Sequence, residues 1–204
     1  MSYYLIGYPL NYSFSPVIHS LFNKEIDYTL KILKEEELDN FLKEKNFKGL
    51  NVTIPYKEKV IPYLDYFEPN ALEIGAVNTI LNKDGKLCGY NTDFFGVKMS
   101  FEINRVILRN KSVMILGSGG TYKTIKHLCI QEGVKEIISV SRSKKEGFIT
   151  YEEIKEYPNC MLEELLRKED AEKKKRTGDV SWEYSSCFFY RLKKFISIIV
   201  IGFV

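Results

Sequence analysis

An apolar strand runs directly into a glycine loop at Ser112-Val113-Met114-Ile115-Leu116-Gly117-Ser118-Gly119-Gly120. A helical pattern follows to about Gln131, and Glu136 to Val140 has the composition of the next strand. Backbone N–H groups at a helix N-terminus can cradle phosphate, and glycines let a pyrophosphate approach closely. This order predicts the first βαβ unit of a dinucleotide-binding fold, with Gly117, Ser118, Gly119 and Gly120 at the cofactor.

A glycine triplet alone also occurs in ordinary tight turns, so the prediction depends on the strand and helix that flank it. The third small position of the usual pattern is Tyr122 in this chain. A side chain of that size can crowd the helix against the strand or against the ligand.

The residues after the second strand indicate which dinucleotide binds. NAD-binding proteins usually place an acid there, which accepts from the ribose 2′-hydroxyl, whereas NADP-binding proteins place arginine there. This chain has Ser141, Arg142, Ser143 and Lys144, and the first acid is Glu146. We therefore predict that these four residues bind the 2′-phosphate of NADP, the alternative being an exposed basic turn.

Composition limits the class of protein. The chain has 204 residues, of which 45% are hydrophobic and 28% charged, which is typical of a soluble globular protein of one or two domains. The net charge is only +3 and the basic residues are spread, so we predict no nucleic-acid partner. No two of the four cysteines are close enough for a zinc motif, so we expect reduced thiols, a cytoplasmic location and no metal.

Neither end of the sequence resembles a membrane signal. Residues 1–6 have no basic region followed by an apolar one, so we predict no signal peptide. The apolar run at 195–204 is far short of the roughly 20 residues that span a bilayer. We expect this run to be a buried strand or an unpaired tail.

Strand and helix patterns alternate from the start, which predicts an α/β fold. Strands are expected at 4–7, 28–33 and 49–53, and helices at 15–22, 35–45, 57–64 and about 92–107. Ser15 is expected to be the N-cap of its helix, with Pro16 at the next position. Asp84-Gly85 predicts a tight hairpin.

Polar side chains gather around one strand end. Asn51-Val52-Thr53-Ile54-Pro55-Tyr56-Lys57 places an amide, a hydroxyl and an ammonium there, and Ala76-Val77-Asn78-Thr79 and Asn91-Thr92-Asp93 supply more. This set suits a small ligand rich in hydroxyl groups. Lys57 paired with Asp93 forms a plausible proton-transfer unit, although a surface salt bridge would have the same sequence.

Hydroxyl groups also precede the first helix. Ser13 and Ser15 lie where a carboxylate on a ligand would be favoured. His19 and His127 are expected to be packing or capping residues, and because no Cys or Ser is paired with either, nucleophilic catalysis is not predicted.

Five motifs together resemble the shikimate dehydrogenase family. They are Ser13-Phe14-Ser15-Pro16-Val17-Ile18-His19, Asn51 to Lys57, Ala76 to Thr79, Gly89-Tyr90-Asn91-Thr92-Asp93 and Gly117 to Gly120, and they cover about residues 1–160. The resemblance implies NADP-dependent, reversible reduction of 3-dehydroshikimate to shikimate, in the pathway to chorismate and the aromatic amino acids. It implies two α/β domains with the active site in the cleft between them.

The resemblance also implies roles for single residues. Lys57 would be the general acid/base beside Asp93, and Ser13 and Ser15 would hold the substrate carboxylate. Asn51, Thr53, Asn78 and Asp93 would bind the ring hydroxyls. Gly117, Gly119 and Gly120 would cradle the pyrophosphate, with Ser141, Arg142 and Lys144 at the adenosine phosphate.

The sequence departs from the family pattern after Cys160, where the segment that contacts the nicotinamide is not found. We therefore expect a shikimate-binding catalytic domain at 1–100, a partial Rossmann domain of two strands at 101–160 and a divergent tail at 161–204. Three alternatives remain open. The chain is a shikimate-binding remnant without activity, it is a quinate/shikimate dehydrogenase that uses NAD, or its tail binds a partner or a membrane. A monomer or a homodimer is expected.

Overall fold

The computed structural model describes residues 2–119, 121–156 and 199–203. Contacts between Cα atoms divide the chain into two units, Met1–Met99 and Ser100–Val204. Both units have the mixed α/β architecture that the sequence predicts.

The first unit holds a six-stranded sheet. Its elements are β1 (Tyr3–Gly7), α1 (Ser15–Phe22), β2 (Tyr28–Ile32), α2 (Glu35–Glu44), β3 (Gly49–Val52), a 3-10 turn (Ile61–Tyr63), β4 (Tyr66–Phe67), α3 (Pro69–Ile74), β5 (Thr79–Lys83), β6 (Lys86–Tyr90) and α4 (Thr92–Ile103). The strand order is β2-β1-β3-β5-β6-β4. β1 lies parallel to β2 and β3, whereas β5 is antiparallel to both β3 and β6.

Side-chain alternation on the central strands separates the core from the polar face. Ile6, Leu50 and Val52 belong to the main hydrophobic cluster, together with Leu42 and Phe47 from α2 and the residues after it. Because neighbouring residues of a strand point to opposite faces, β3 presents Asn51 on the face away from this cluster.

The tight hairpin at Asp84-Gly85 is confirmed. β5 and β6 pair from Thr79↔Tyr90 to Lys83↔Lys86, leaving these two residues as the loop. Their φ angles of 54° and 84° are the positive values that a two-residue hairpin loop requires.

Three expectations about helices were wrong. No α-helix covers 57–64, because Pro62 lacks the N–H and its ring would clash with an earlier carbonyl, so only the short 3-10 turn forms. α4 stops at Ile103, and Arg105 adopts a left-handed φ of 54° just beyond it. Ser15 is the first helical residue and Phe14 occupies the cap position.

The second unit has a four-stranded sheet, so the expectation of only two strands was wrong. Its elements are β7 (Ser112–Leu116), α5 (Tyr122–Gln131), β8 (Glu136–Ser141), β9 (Ile149–Thr150), a second 3-10 turn (Glu153–Glu156) and β10 (Ile199–Phe203). The order is β10-β7-β8-β9, with β7, β8 and β9 parallel and β10 antiparallel to β7. β7 and β8 are thus paired along both edges, which removes the exposed edges that two strands would leave.

The segment predicted as a divergent tail lies outside the described residues except for β10. There, Ile199 pairs with Leu116 and Phe203 with Ser112. Of the two alternatives for the apolar run, a strand or an unpaired tail, the structure shows a strand.

Tyr122 fits into the second unit without displacing α5. Its ring is buried, with 8% exposed, and its hydroxyl lies 2.7 Å from Ser139 Oγ on β8. The side chain therefore fills the space between helix and sheet, and its polar end has a buried partner.

Candidate functional site

Lys57 and Asp93 form an ion pair in the first unit. Lys57 Nζ lies 2.5 Å from Asp93 Oδ2, and their side chains are 15% and 32% exposed. Asp93 sits in the first turn of α4, where a helix favours a negative charge. The Val77 N–H donates to the Lys57 carbonyl at 2.8 Å, which fixes the Lys57 backbone beside the Asn78 motif. The structure brings the two groups together, while their catalytic role stays a prediction.

The segment that carries Lys57 lies tightly against the end of β1. The Thr53 N–H donates to the Ile6 carbonyl at 3.0 Å. A Cβ added to Gly7 would lie 2.5 Å from Thr53 Cγ2, so only glycine permits this approach. Thr53 is half-buried, and its predicted contact with a ligand hydroxyl stays a prediction.

Asn78 is a buried residue that accepts from the first backbone N–H of α4, while Asn91, the residue before the helix, accepts from the Phe94 N–H at 3.2 Å. The Thr92 N–H donates to Asn78 Oδ1 at 2.9 Å, and Asn78 Nδ2 donates to Thr92 Oγ1 at 2.9 Å. The Asn78 carbonyl accepts from the Val52 N–H at 2.8 Å, which ties the residue to the end of β3. Asn78 therefore positions the helix turn that carries Asp93, in addition to its predicted contact with the ligand.

Asn51 is joined to Asn78 through Thr79, a member of the predicted polar motif to which the sequence assigned no role of its own. Asn51 Nδ2 donates to Thr79 Oγ1 at 3.2 Å, and the Thr79 hydroxyl donates to Asn78 Oδ1 at 3.1 Å. The two predicted amides thus belong to one hydrogen-bonded group on the polar face of the sheet.

Tyr28 extends this group toward the two predicted serines. Its hydroxyl donates to Asn51 Oδ1 at 2.7 Å and interacts with the Ser15 side chain, whose hydroxyl accepts from Ser13 Oγ at 3.0 Å. Burial raises the pKa of Tyr28 to about 12, and the Ser15 hydrogen bond partly offsets that rise. The His19 ring stacks on Tyr28 with centroids 4.0 Å apart, in the packing role expected for it.

Sequence reasoning missed Tyr28, although strand register offers a signal. Tyr28 pairs with Tyr3, which pairs with Gly49, so Tyr28 lies on the same face as Asn51, two positions further back. The side chain of a tyrosine is long enough to cover that distance. Placing Tyr28 beside Asn51 requires knowledge of the strand order in the sheet, which local sequence patterns do not supply.

The glycine loop occupies the end of β7 in the second unit. Gly117 has a φ of 107°, and its N–H donates to the Val140 carbonyl at 2.9 Å. A Cβ added to Gly119 would meet nothing within 4 Å, so this position is open on the protein side. Gly120 lies outside the described residues.

The predicted phosphate-binding turn follows β8. Ser141 is buried and its hydroxyl donates to the Ser143 backbone carbonyl. Arg142, Ser143 and Lys144 are exposed. The basic residue of this turn that contacts the glycine loop is Lys145, whose ammonium donates to Ser118 Oγ at 2.9 Å. Lys145 lies one position beyond the four residues predicted from the sequence.

Two kinds of feature are absent from the part of the chain that the structure describes. Within it, no group of three His, Cys, Asp or Glu side chains is placed to hold a metal ion. Its helices include none that is long and apolar enough to cross a membrane.

Known proteins resemble the chain over both units. Residues 5–80 match a family model described as the shikimate dehydrogenase substrate binding domain. The shikimate dehydrogenase (NADP(+)) of Halothermothrix orenii is 43% identical over 151 residues, which are 70% of this chain and 52% of that protein. The crystal structure of shikimate dehydrogenase 1 from Peptoclostridium difficile superposes with a TM-score of 0.68 at 37% identity, covering 77% of this chain and 63% of that one.

The chain therefore spans roughly half to two thirds of the curated relatives it matches. The shikimate dehydrogenase (NADP(+)) of Clostridium botulinum is 38% identical over 173 residues, which are 81% of this chain and 67% of that protein. With the polar group of the first unit and the glycine loop of the second, this similarity shows that the chain belongs to the shikimate dehydrogenase family.

Proposed function

We propose that the chain catalyses the reversible, NADP-dependent reduction of 3-dehydroshikimate to shikimate, a step toward chorismate and the aromatic amino acids. The observation that carries this proposal is the Lys57–Asp93 pair beside a hydrogen-bonded group of amides and hydroxyls. A polyol carboxylate needs such donors and acceptors, and reduction of its ketone needs one proton at oxygen. We assign substrate binding to residues 1–100 and cofactor binding to 101–160.

Each predicted site residue of the first unit has a role in this reaction. Ser13 and Ser15 bind the carboxylate, and Asn51, Thr53, Asn78 and Asp93 bind the ring hydroxyls. The Lys57 ammonium donates a proton to the ketone oxygen and recovers it in the reverse direction, while the Asp93 carboxylate, 2.5 Å away, orients it.

The second unit fits NADP at its adenosine end. The open space at Gly119 and the left-handed φ of Gly117 suit a loop that a pyrophosphate approaches closely. Arg142 and its basic neighbours follow β8 without an adjacent acid, which suits a 2′-phosphate. When bound, NADPH supplies the hydride.

A second candidate function is shikimate binding without turnover. This candidate is supported by the length of the match, because the chain spans only 52% of the Halothermothrix orenii protein. An enzyme that uses NAD is the third candidate, and the lack of an acid before Glu146 speaks against it. A cytoplasmic monomer or homodimer, without nucleic-acid or membrane partners, stays a prediction.

Calorimetry and a turnover assay distinguish these candidates. The proposed enzyme binds shikimate and reduces NADP⁺ in its presence, faster than it reduces NAD⁺. Shikimate binding without reduction of either dinucleotide would favour the binding remnant. A chain that does not bind shikimate at all would contradict both.

A further inference from the structure

The first helix keeps its apolar side away from its own sheet. Ser15 and His19, one turn apart on α1, face Tyr28 on β2. The apolar side chains of the helix recur at i, i+3, i+4 and i+7, which places them together on another side. No residue of α1 is buried, and Leu21 and Phe22 are 81% and 83% exposed. We call this surface the α1 flank, and it consists of Tyr12, Phe14, Val17, Ile18, Leu21 and Phe22.

The α1 flank is larger than the apolar patches that ordinary monomers expose. The exposed parts of Tyr12, Phe14 and Phe22 amount to about 400 Å², since an aromatic side chain presents about 150–250 Å². The aliphatic side chains bring the total to about 700 Å², against about 300–600 Å² for the largest patch of a typical monomer. A stable interface of standard size takes about 800 Å² from each partner, so the flank is nearly sufficient for one.

The flank is also continuous. The rings of Tyr12 and Phe14 meet edge to face with their centroids 4.9 Å apart, so the loop before α1 extends the surface of the helix. Phe14, Ile18 and Phe22 follow one another at intervals of one turn, and Val17 and Leu21 lie beside them. A partner would therefore meet one apolar surface rather than scattered side chains.

The polar face of the six-stranded sheet has an apolar row that α1 does not fully cover. Tyr3 and Leu81 in this row are half-buried, and Tyr66 is 53% exposed. Ile80, which points to the opposite face, is fully buried. The strand pairings place the members of the row in line across the sheet, in the order Tyr28, Tyr3, Gly49, Leu81, Cys88 and Tyr66.

One helix is too narrow to cover this row. Six strands about 4.8 Å apart span about 24 Å, whereas a helix with its side chains is about 10–12 Å wide. α1 lies at the β2 end of the sheet, where His19 stacks on Tyr28. Space for a second helix with an apolar side thus remains beside α1.

The composition of the flank favours a second copy of the chain as the partner. No Asp, Glu, Lys or Arg occurs between Tyr12 and Asn23. A two-fold axis sets identical groups near one another, so an interface without charges avoids repulsion between like charges. A helix that binds a lipid surface carries Lys or Arg along its polar side instead. Many aromatic and few charged residues are typical of the buried centre of a protein interface.

We propose that two copies of the chain form a two-fold homodimer through the α1 flank. α1 of each copy lies beside α1 of the other, over the part of the row that one helix leaves open. The interface buries Leu21 and Phe22, and each copy supplies the helix that the other lacks on this face. This proposal does not depend on the reaction that the chain catalyses.

The test measures the mass of the full chain by sedimentation equilibrium over a range of concentrations. The variant is Leu21→Glu, and Phe22→Glu is a second variant on the same flank. The matched control is Leu72→Glu on α3, which places the same charge at another exposed leucine, 63% exposed. Circular dichroism checks that each variant is folded. Amide hydrogen exchange of the wild-type chain at low and high concentration locates the interface without any substitution.

Leu21→Glu should raise the dissociation constant of the dimer at least about a hundredfold, because each dimer loses two buried leucines and gains two unpaired charges. Phe22→Glu should act in the same direction. Leu72→Glu should change the dissociation constant less than about twofold. Amides of residues 14–22 should exchange more slowly at high concentration, because dimerisation covers the helix.

Four results would overturn the proposal. One is a wild-type chain that is monomeric at every concentration, and another is an equal effect of Leu21→Glu and Leu72→Glu. The third is a dimer in which exchange over 14–22 does not depend on concentration. The fourth is a monomer that co-sediments with vesicles of anionic phospholipid, which would make the flank a lipid-binding surface. Neither shikimate nor a dinucleotide is present in these measurements, so failure of the proposed function would leave this inference standing.

Discussion

Lys57 and Asp93 lie 36 positions apart in the chain, yet Lys57 Nζ and Asp93 Oδ2 are 2.5 Å apart. The pair depends on two supports: the hydrogen bond from Val77 to the Lys57 carbonyl, and the capping of α4 by Asn78. The proposed proton donor and its orienting carboxylate are thereby held on separate segments of one unit.

Replacing Lys57 by methionine should remove the proton donor and leave most of the ligand contacts. We expect turnover to fall about 10²- to 10⁴-fold, the usual contribution of a positioned acid or base, with a much smaller change in shikimate affinity. Shikimate-dependent formation of NADPH and calorimetry measure the two effects. Lys59→Met is the matched control, since Lys59 pairs with Glu35 instead. Undiminished turnover in Lys57→Met would refute the assigned role.

Asn78 should contribute to stability through the helix cap. Asn78→Ala leaves the Thr92 N–H without its acceptor, so the free energy of unfolding should fall by about 1–3 kcal/mol. Asn78→Asp keeps an acceptor at the helix N-terminus and should lose less. Urea denaturation followed by circular dichroism measures both, and equal losses in the two variants would contradict the capping role.

Tyr28 should affect both ligand affinity and alkaline stability. Tyr28→Phe keeps the ring that stacks on His19 but frees Asn51 Oδ1, so shikimate affinity should fall several-fold. The pKa of Tyr28 is about 12 in the fold against 10.0 for a free tyrosine. The unfolded chain therefore loses this proton first, so the contribution of Tyr28 to stability is present below pH 10 and is lost as the pH rises toward 12.

A titration of tyrosinate absorbance and denaturation at several alkaline pH values test the second effect. Tyr28→Phe should remove one late-titrating group and flatten the alkaline loss of stability. Tyr63→Phe is the control for affinity, because the Tyr63 hydroxyl donates to Asp39 on α2. The same loss of shikimate affinity in both variants would show that the hydrogen bond from Tyr28 to Asn51 does not contribute specifically to shikimate binding.

The two described glycines of the loop should respond differently to alanine. Gly117→Ala forces a side chain onto a φ of 107°, so the free energy of unfolding should fall by about 1–3 kcal/mol. Gly119→Ala points a methyl group into open space, so stability should hold while NADP⁺ affinity falls about tenfold. Thermal unfolding and dinucleotide titration separate the two, and unchanged affinity in Gly119→Ala would place the pyrophosphate elsewhere.

Much of the fold could be predicted because its signals are local. Asp84-Gly85 specifies a hairpin through the φ angles that its loop needs, and the strand before Gly117 marks the dinucleotide unit. The break at Pro62 is also local, but the prediction of a helix there rested on Pro55, which suits the start of a helix, and did not take Pro62 into account.

The remaining features could not be predicted because they depend on partners distant in the chain. Ile199 pairs with Leu116, and no pattern near either residue indicates that pairing. Tyr28 reaches Asn51 only through the order of β2, β1 and β3. Lys145 lies 2.9 Å from Ser118 Oγ, 27 positions earlier in the chain, and the motif of the turn does not indicate that contact.

The hydrogen-bonded group on the polar face has a fixed direction. The Thr92 N–H can only donate, so Asn78 Oδ1 accepts, Thr79 donates to that oxygen, Asn51 donates to Thr79, and Tyr28 donates to Asn51. A half-turn of the Asn78 carboxamide would set its NH₂ against the Thr92 N–H, donor against donor, whereas the Thr79 and Tyr28 hydroxyls beside Asn51 can both donate and accept. The orientation of the Asn78 amide is therefore fixed, and in the proposed site an epimer with one inverted ring hydroxyl would leave a polar group unpaired. One backbone amide would thus help to set which polyol stereoisomer the proposed site accepts.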